Sequence, residues 1–81
     1  MRIVKEIAHP DYRITIFQWN NKYIIKIETA RLEQTFKIGQ DEVASDEEAL
    51  QLLDDEFLQQ AMKRFEQMHS DIAKAMKRLS P

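Results

Sequence analysis

Residues 12–29, YRITIFQWNNKYIIKIET, decide the fold of this chain. Two runs rich in β-branched and aromatic residues flank Asn20 and Asn21, and asparagine tolerates the positive φ angles of a two-residue hairpin turn. That turn fixes the register of every residue pair, as far as Arg13 opposite Glu28. One face of the hairpin then carries the apolar side chains Tyr12, Ile14, Ile16, Tyr23, Ile25 and Ile27. We therefore predict a hairpin with one buried face.

Two further strands are predicted, one before this hairpin in the sequence and one after it. Residues 3–8 form a short β-prone run, and the segment His9-Pro10-Asp11 ends it because proline favours a turn. From residue 32 to residue 38 apolar and polar side chains alternate, as in a strand with one buried face. The link at residues 29–31 lacks Gly, Pro and Asn, so the third and fourth strands could instead be one long bent strand. The first strand could join either edge of the hairpin.

A long helix is predicted for residues 45–79. Ser45 is followed three residues later by Glu48, the spacing of a capping box at a helix start. At 100° per residue, one apolar stripe collects Leu50, Leu53, Phe57, Ala61, Met68, Ile72, Ala75 and Leu79. Only Asp54 interrupts this stripe, so we expect any kink or break at Asp54 and Asp55.

Together these elements predict a single α+β domain over residues 1–81. A three- to four-stranded antiparallel meander in residues 1–39 is packed by one long C-terminal helix. A continuous helix over residues 46–79 would be roughly 50 Å long, whereas strands of eight or nine residues reach only about 30 Å. Because the sheet cannot cover the whole stripe, its last part, together with Met76 on its shoulder, is expected to contact another chain or to fray. The residues concerned are Met68, Ile72, Met76 and Leu79.

The composition excludes several classes of protein. The chain has no cysteine, which removes disulfides, a thiol nucleophile and thiolate metal sites, and one glycine cannot build a glycine-rich phosphate loop. No apolar run approaches the roughly 20 residues of a membrane span. Arg2, Lys5 and Glu6 are followed by no apolar segment, so no signal peptide is expected. We therefore expect a soluble cytoplasmic protein without a membrane partner or a cofactor.

Two small groups of side chains resemble catalytic or metal sites. Glu66 and His69 have the spacing with which helix bundles present metal ligands, but such a site needs the motif twice. His9 and Asp11 could form an oriented base, yet Pro10 between them favours turn chemistry, and the sequence shows no nucleophile beside them. We therefore expect no catalytic or metal-binding residues, and we expect that the protein is not an enzyme.

The outer face of the hairpin carries the more informative residues. Phe17, Trp19 and Ile24 lie there, and an exposed apolar patch on a small domain is commonly buried by a partner. The same face carries Arg13, Lys22 and Lys26. Aromatic rings flanked by bases on an open sheet are also typical of proteins that bind single-stranded RNA or DNA.

The expected function is that of a non-enzymatic protein-interaction module. Its partner is a second copy, giving a homodimer, or another protein, with the outer sheet face and the end of the helix as contact surfaces. Single-stranded nucleic-acid binding through the outer sheet face is the alternative. A metal-dependent enzyme that uses Glu66 and His69 is the third possibility.

Overall fold

The structure is a computed structural model that describes residues 1–79. Its strands are β1 (Arg2–Ala8), β2 (Arg13–Trp19), β3 (Lys22–Glu28) and β4 (Glu33–Gly39), and its helices are α1 (Asp46–Gln51) and α2 (Asp55–Lys77). The strands lie in the order β1-β2-β3-β4, and all neighbours are antiparallel. The predicted α+β meander is confirmed. The first strand, whose position the sequence left open, pairs with β2.

The register between β2 and β3 is the predicted one in every pair, as far as Arg13 opposite Glu28. Asn20 and Asn21 have φ angles of 54° and 62°. This is the left-handed region, which asparagine occupies at lower cost than most residues. The asparagine pair therefore explains both the tight turn and the face on which the isoleucines lie.

The other two hairpins also close with two-residue turns. The His9 N–H donates to the Tyr12 carbonyl oxygen at 3.0 Å, and the Thr29 N–H donates to the Leu32 carbonyl oxygen at 2.8 Å. The Thr29 hydroxyl oxygen also accepts a hydrogen bond from the Leu32 N–H at 3.2 Å. A threonine side chain can thus support a turn that lacks Gly, Pro and Asn. It separates β3 from β4, so the alternative of one long bent strand is wrong.

The core lies between the inner face of the sheet and the two helices. Four isoleucines of β2 and β3 are at most 1% exposed: Ile14, Ile16, Ile25 and Ile27. Val43, Ala49, Ala61 and Phe65 cover them from the helical side. Burying an isoleucine side chain contributes about 1.5–3 kcal/mol, so these four positions dominate the stability of the sheet layer.

The long helix predicted over residues 45–79 is divided into α1 and α2, and the division falls next to Asp54 and Asp55, where a kink or break was expected. Leu52 and Leu53 are not helical, and Asp54 has an extended backbone with φ −83° and ψ 174°. The Asp54 carboxylate accepts a hydrogen bond of 2.8 Å from the Phe57 N–H, which caps the first turn of α2. The break therefore falls where Asp54 interrupts the apolar stripe, because the aspartate is a helix cap and not a helical residue.

The capping box at the start of α1 forms with one difference from the sequence pattern. The Ser45 hydroxyl accepts a hydrogen bond of 3.2 Å from the Glu48 N–H, as predicted. The Glu48 carboxylate accepts in return from the Ala44 N–H at 3.3 Å, one residue before the cap. Both bonds satisfy backbone donors that the helix itself cannot pair.

Helix α2 crosses the inner face along β4 and continues beyond it. Near its start, the Phe57 ring packs against Phe36 with centroids 5.1 Å apart. One turn later, the Ala61 carbonyl oxygen accepts a hydrogen bond from Gln34, which lies next to the first residue of β4. The helix then runs on to Lys77. Within the described residues, neither helix combines the length and the apolar character needed to cross a membrane.

Candidate functional site

The outer face of the sheet carries an apolar row that crosses three strands. Cross-strand neighbours place Ile3 beside Phe17 and Phe17 beside Ile24. Trp19 lies on the same face, two residues along β2 from Phe17. Ile3 is 55% exposed and Trp19 is 53% exposed. In residues 1–79 both helices lie on the opposite face, so these four residues form an uncovered surface, which we call the outer patch.

Ile3 was not among the predicted interface residues, and a bulge explains why. From Ala8 to Lys5, β1 follows the register that the two-residue turn at Pro10 imposes on β2. The register then shifts by one residue between Ile3 and Lys5, and Ile3 rather than Val4 comes to lie opposite Phe17. The hydrophobicity pattern gives no signal for such a shift.

The basic residues of the outer face are partly neutralised by carboxylates. The Lys26 ammonium lies 3.4 Å from the Glu33 carboxylate and 4.0 Å from that of Glu28. Arg13 is the cross-strand neighbour of the same Glu28. Lys22, by contrast, is exposed directly opposite Trp19. The predicted set of Arg13, Phe17, Trp19, Lys22 and Lys26 is therefore on one face, but its positive charge is not concentrated there.

The last turns of α2, together with Leu79 just beyond the helix, carry the second uncovered apolar surface. Ile72 is 44% exposed, Met76 is 42% exposed and Leu79 is 84% exposed, and we call these three residues the helix end. Met68 was predicted with them, but it is half-buried and packs against the core. Met68 is therefore less exposed than the three residues of the helix end.

The two groups that resemble catalytic or metal sites are not assembled into a site. Glu66 and His69 are both exposed on α2. Within residues 1–79, no three His, Cys, Asp or Glu side chains are grouped so that they could hold a metal ion. The His9 ring stacks on Tyr12 at 4.2 Å, and its Nδ1 accepts a hydrogen bond of 3.1 Å from the Asp11 N–H. His9 therefore stabilises its own turn.

A polar cluster surrounds Asp46 at the start of α1. Both terminal nitrogens of Arg2 donate to its carboxylate at 3.0 Å, and the Tyr23 hydroxyl donates to it at 2.7 Å. The hydrogen bonds from Arg2, and then the one from Tyr23, hold the pKa of Asp46 below its ordinary value. The hydrogen bond to Asp46 and burial raise the pKa of Tyr23. These hydrogen bonds connect α1 to β1 and β3. The sequence pattern did not indicate any of these contacts.

A shallow apolar groove lies beside β4. Its volume is about 460 Å³. Its apolar lining residues are Ile25, Phe36, Ile38, Leu52 and Phe57. The break between the helices produces this groove, because Leu52 lies outside α1 and remains 38% exposed. We call it the β4 groove.

Comparison with known proteins adds no assignment. No protein-family model, curated protein or solved structure matches the chain. The functional conclusion therefore comes from the surfaces described above.

Proposed function

We propose that this chain is a non-enzymatic protein-interaction module. It self-associates as a homodimer, and its outer patch and helix end are contact surfaces for protein partners. We also propose a cytoplasmic location, because a chain without cysteine needs no oxidising compartment.

The observation that carries this proposal is the outer patch. Ile3, Phe17 and Ile24 form a continuous row across three strands, and Trp19 adjoins it. Scattered apolar side chains are normal on a protein surface, whereas a contiguous patch usually has an occupant. Tryptophan and phenylalanine are also enriched at the centres of protein interfaces. The patch therefore has the composition and the arrangement of a protein contact.

The test uses the only tryptophan of the chain. Because Trp19 lies in the outer patch, its emission maximum reports whether that surface is covered. Solution mass from light scattering over a wide concentration range tests the homodimer, and the Trp19 emission of the same samples shows whether the outer patch lies in that contact. We expect the mass to rise from monomer to dimer. A monomer at every concentration would overturn the homodimer.

Single-stranded nucleic-acid binding is the second candidate, and one observation favours it. Trp19 and Lys22 are cross-strand neighbours on the outer face, so a base stacked on the ring would place its phosphate near an ammonium group. Binding predicts that an oligonucleotide quenches Trp19 emission and that the affinity falls as salt rises. Unchanged emission at low salt with micromolar protein would rule this function out.

A further inference from the structure

The two edges of the sheet differ in how far they are protected. The register of β1 against β2 shifts between Ile3 and Lys5, and such a bulge hinders the pairing of a further strand. The pairing of β4 with β3 is regular from Glu33 to Gly39, and β4 contains no proline. An edge strand of this kind is a template for a strand from another chain.

The direction of the backbone groups shows which residues β4 offers. In an antiparallel pair, alternate residues turn their N–H and C=O groups toward the neighbouring strand. The Gln40 N–H donates to the Asn21 carbonyl oxygen at 3.1 Å, which places the even-numbered residues of β4 toward β3. The odd-numbered residues therefore turn their backbone groups to the free edge. They are Glu33, Thr35, Lys37 and Gly39.

A turn within the chain occupies the end of this edge at Gly39. Its carbonyl oxygen accepts hydrogen bonds from the N–H groups of Glu42 and Val43, at 3.0 Å and 3.3 Å. Its N–H donates to the Glu42 carboxylate at 3.2 Å. The open part of the edge therefore consists of Glu33, Thr35 and Lys37.

We infer that β4 pairs antiparallel with β4 of a second copy, about a two-fold axis at Thr35. This inference rests on the proposed self-association and names its contact surface. Thr35 then faces Thr35 of the second copy, and Glu33 faces Lys37 of the second copy on both sides of the axis. All open N–H and C=O groups of the three residues are paired, and both charged pairs are of opposite sign. The two sheets become one.

Neighbouring registers lack this match. An axis at Phe36 sets Glu33 opposite Gly39, whose backbone groups are already bonded. An axis at Gln34 sets Lys37 opposite Arg31, which is a pair of like charges. Charge complementarity and the pairing of the open backbone groups thus favour the same register, although they are independent properties of the strand.

The β4 groove supplies apolar burial in the selected register. On the inner face, Leu32 of the second copy lies opposite Ile38, beside the groove that Leu52 and Phe57 also line. The strand contact itself is short. Stable interfaces bury roughly 1,200–2,000 Å² in total. We therefore expect that so short a contact gives a weak dimer, which dissociates on dilution. The outer patch of each copy stays uncovered.

Cysteine cross-linking tests the register directly, since the chain has no cysteine of its own. Residues in a hydrogen-bonded antiparallel pair have Cα atoms about 5.5 Å apart, within the range that a disulfide spans. Mild oxidation of Thr35→Cys should therefore give a covalent dimer. The matched control is Glu6→Cys, because Glu6 is exposed on the outer face of β1, away from β4. This variant should stay monomeric under the same oxidation.

Mixed cysteine variants add a second test of register. An equimolar mixture of Glu33→Cys and Lys37→Cys should cross-link to a heterodimer, whereas neither variant should cross-link with itself. Self-linked Glu33→Cys without any Thr35→Cys dimer would overturn the register. Equal cross-linking of Thr35→Cys and Glu6→Cys would overturn the β4 contact.

Charge reversal separates this inference from the proposed function. Glu33→Lys or Lys37→Glu alone should raise the concentration for half-dimerisation about tenfold, because each change turns two attractive pairs between the copies into repulsive ones. Glu33→Lys also removes the ion pair with Lys26 of the same chain, so Lys37→Glu is the decisive single variant. The double variant E33K/K37E should restore the wild-type value. If the wild type dimerises but the single variants dimerise equally well, the β4 contact is wrong and the homodimer stands. A monomeric wild type would overturn both.

Discussion

The side-chain amide of Gln34 on β4 donates a hydrogen bond of 2.8 Å to the backbone carbonyl oxygen of Ala61 on α2. Its own oxygen accepts from the Arg64 Nε at 2.9 Å, so the buried amide is paired at both ends. Ala61 is fully buried, and its small side chain lets the helix backbone approach the strand. The pair fixes the position of α2 along the strand, which hydrophobic packing alone does not.

Replacing Gln34 with Leu should destabilise the protein by about 1–3 kcal/mol, because two hydrogen bonds are lost at nearly constant volume. Urea denaturation measures the free energy of unfolding. Gln59→Leu on the exposed side of α2 is the matched control and should change it by less than about 0.5 kcal/mol. Equal losses in the two variants would show that the Gln34 hydrogen bonds contribute nothing.

Neighbouring isoleucines of β3 test whether only one face of the sheet is covered. Ile25 is 1% exposed on the inner face, whereas Ile24 is half-buried in the outer patch. Ile25→Ala should cost about 2–5 kcal/mol of unfolding free energy, as for other buried isoleucines. Ile24→Ala should cost clearly less in monomeric protein at low concentration. Similar losses at both positions would mean that something covers the outer face.

The sequence predicts best what depends on neighbouring residues. The asparagine pair, with alternating apolar and polar residues on each side of it, determines the β2–β3 register. Asp54 marks the break between the helices because its side chain caps the start of α2. Both signals are local, so propensity and periodicity are sufficient to detect them. The placement of Phe17, Trp19 and Ile24 on the outer face could be predicted for the same reason, because the hairpin register assigns each residue to a face.

What the sequence did not predict depends on distant residues. Ile3 joins the outer patch only because a bulge shifts β1 by one residue, and Arg2 reaches Asp46 across 44 positions of the chain. The open edge of β4 likewise follows from the strand order, which the sequence left undecided. Composition and residue spacing do not indicate such contacts, because they form only in the folded chain.

The Asp46 cluster predicts a pH dependence with a definite sign. The pKa of the Asp46 carboxyl is lower in the folded protein than in the unfolded chain. Its contribution to stability is therefore present above a pH of about 3.9, the ordinary pKa of aspartate, and is lost as the pH falls through the pKa of the folded state. Asp46→Asn should therefore be less stable than the wild type near neutral pH, and the difference should shrink on acidification. Urea denaturation across a pH series measures it.

The matched control for that series is Glu47→Gln, which removes a carboxylate from the same helical turn. Glu47 is exposed and makes none of the contacts of the Asp46 cluster. Its difference from the wild type should be small near neutral pH. A pH-independent difference between Asp46→Asn and the wild type would show that the carboxylate charge is not what fastens α1 to the sheet.

The double variant Ile72→Lys/Met76→Lys tests the role of the helix end. Because both side chains are more than two-fifths exposed, the variant should keep its helical circular dichroism and lose less than about 1 kcal/mol of stability. Phe65→Ala, at a position only 7% exposed, is the contrasting variant and should lose about 3–5 kcal/mol. If two copies are joined through β4, the helix end lies outside the contact. The double variant should then have the same concentration for half-dimerisation as the wild type. A folded double variant that is monomeric where the wild type is dimeric would instead place the self-contact at the helix end and leave the β4 edge open.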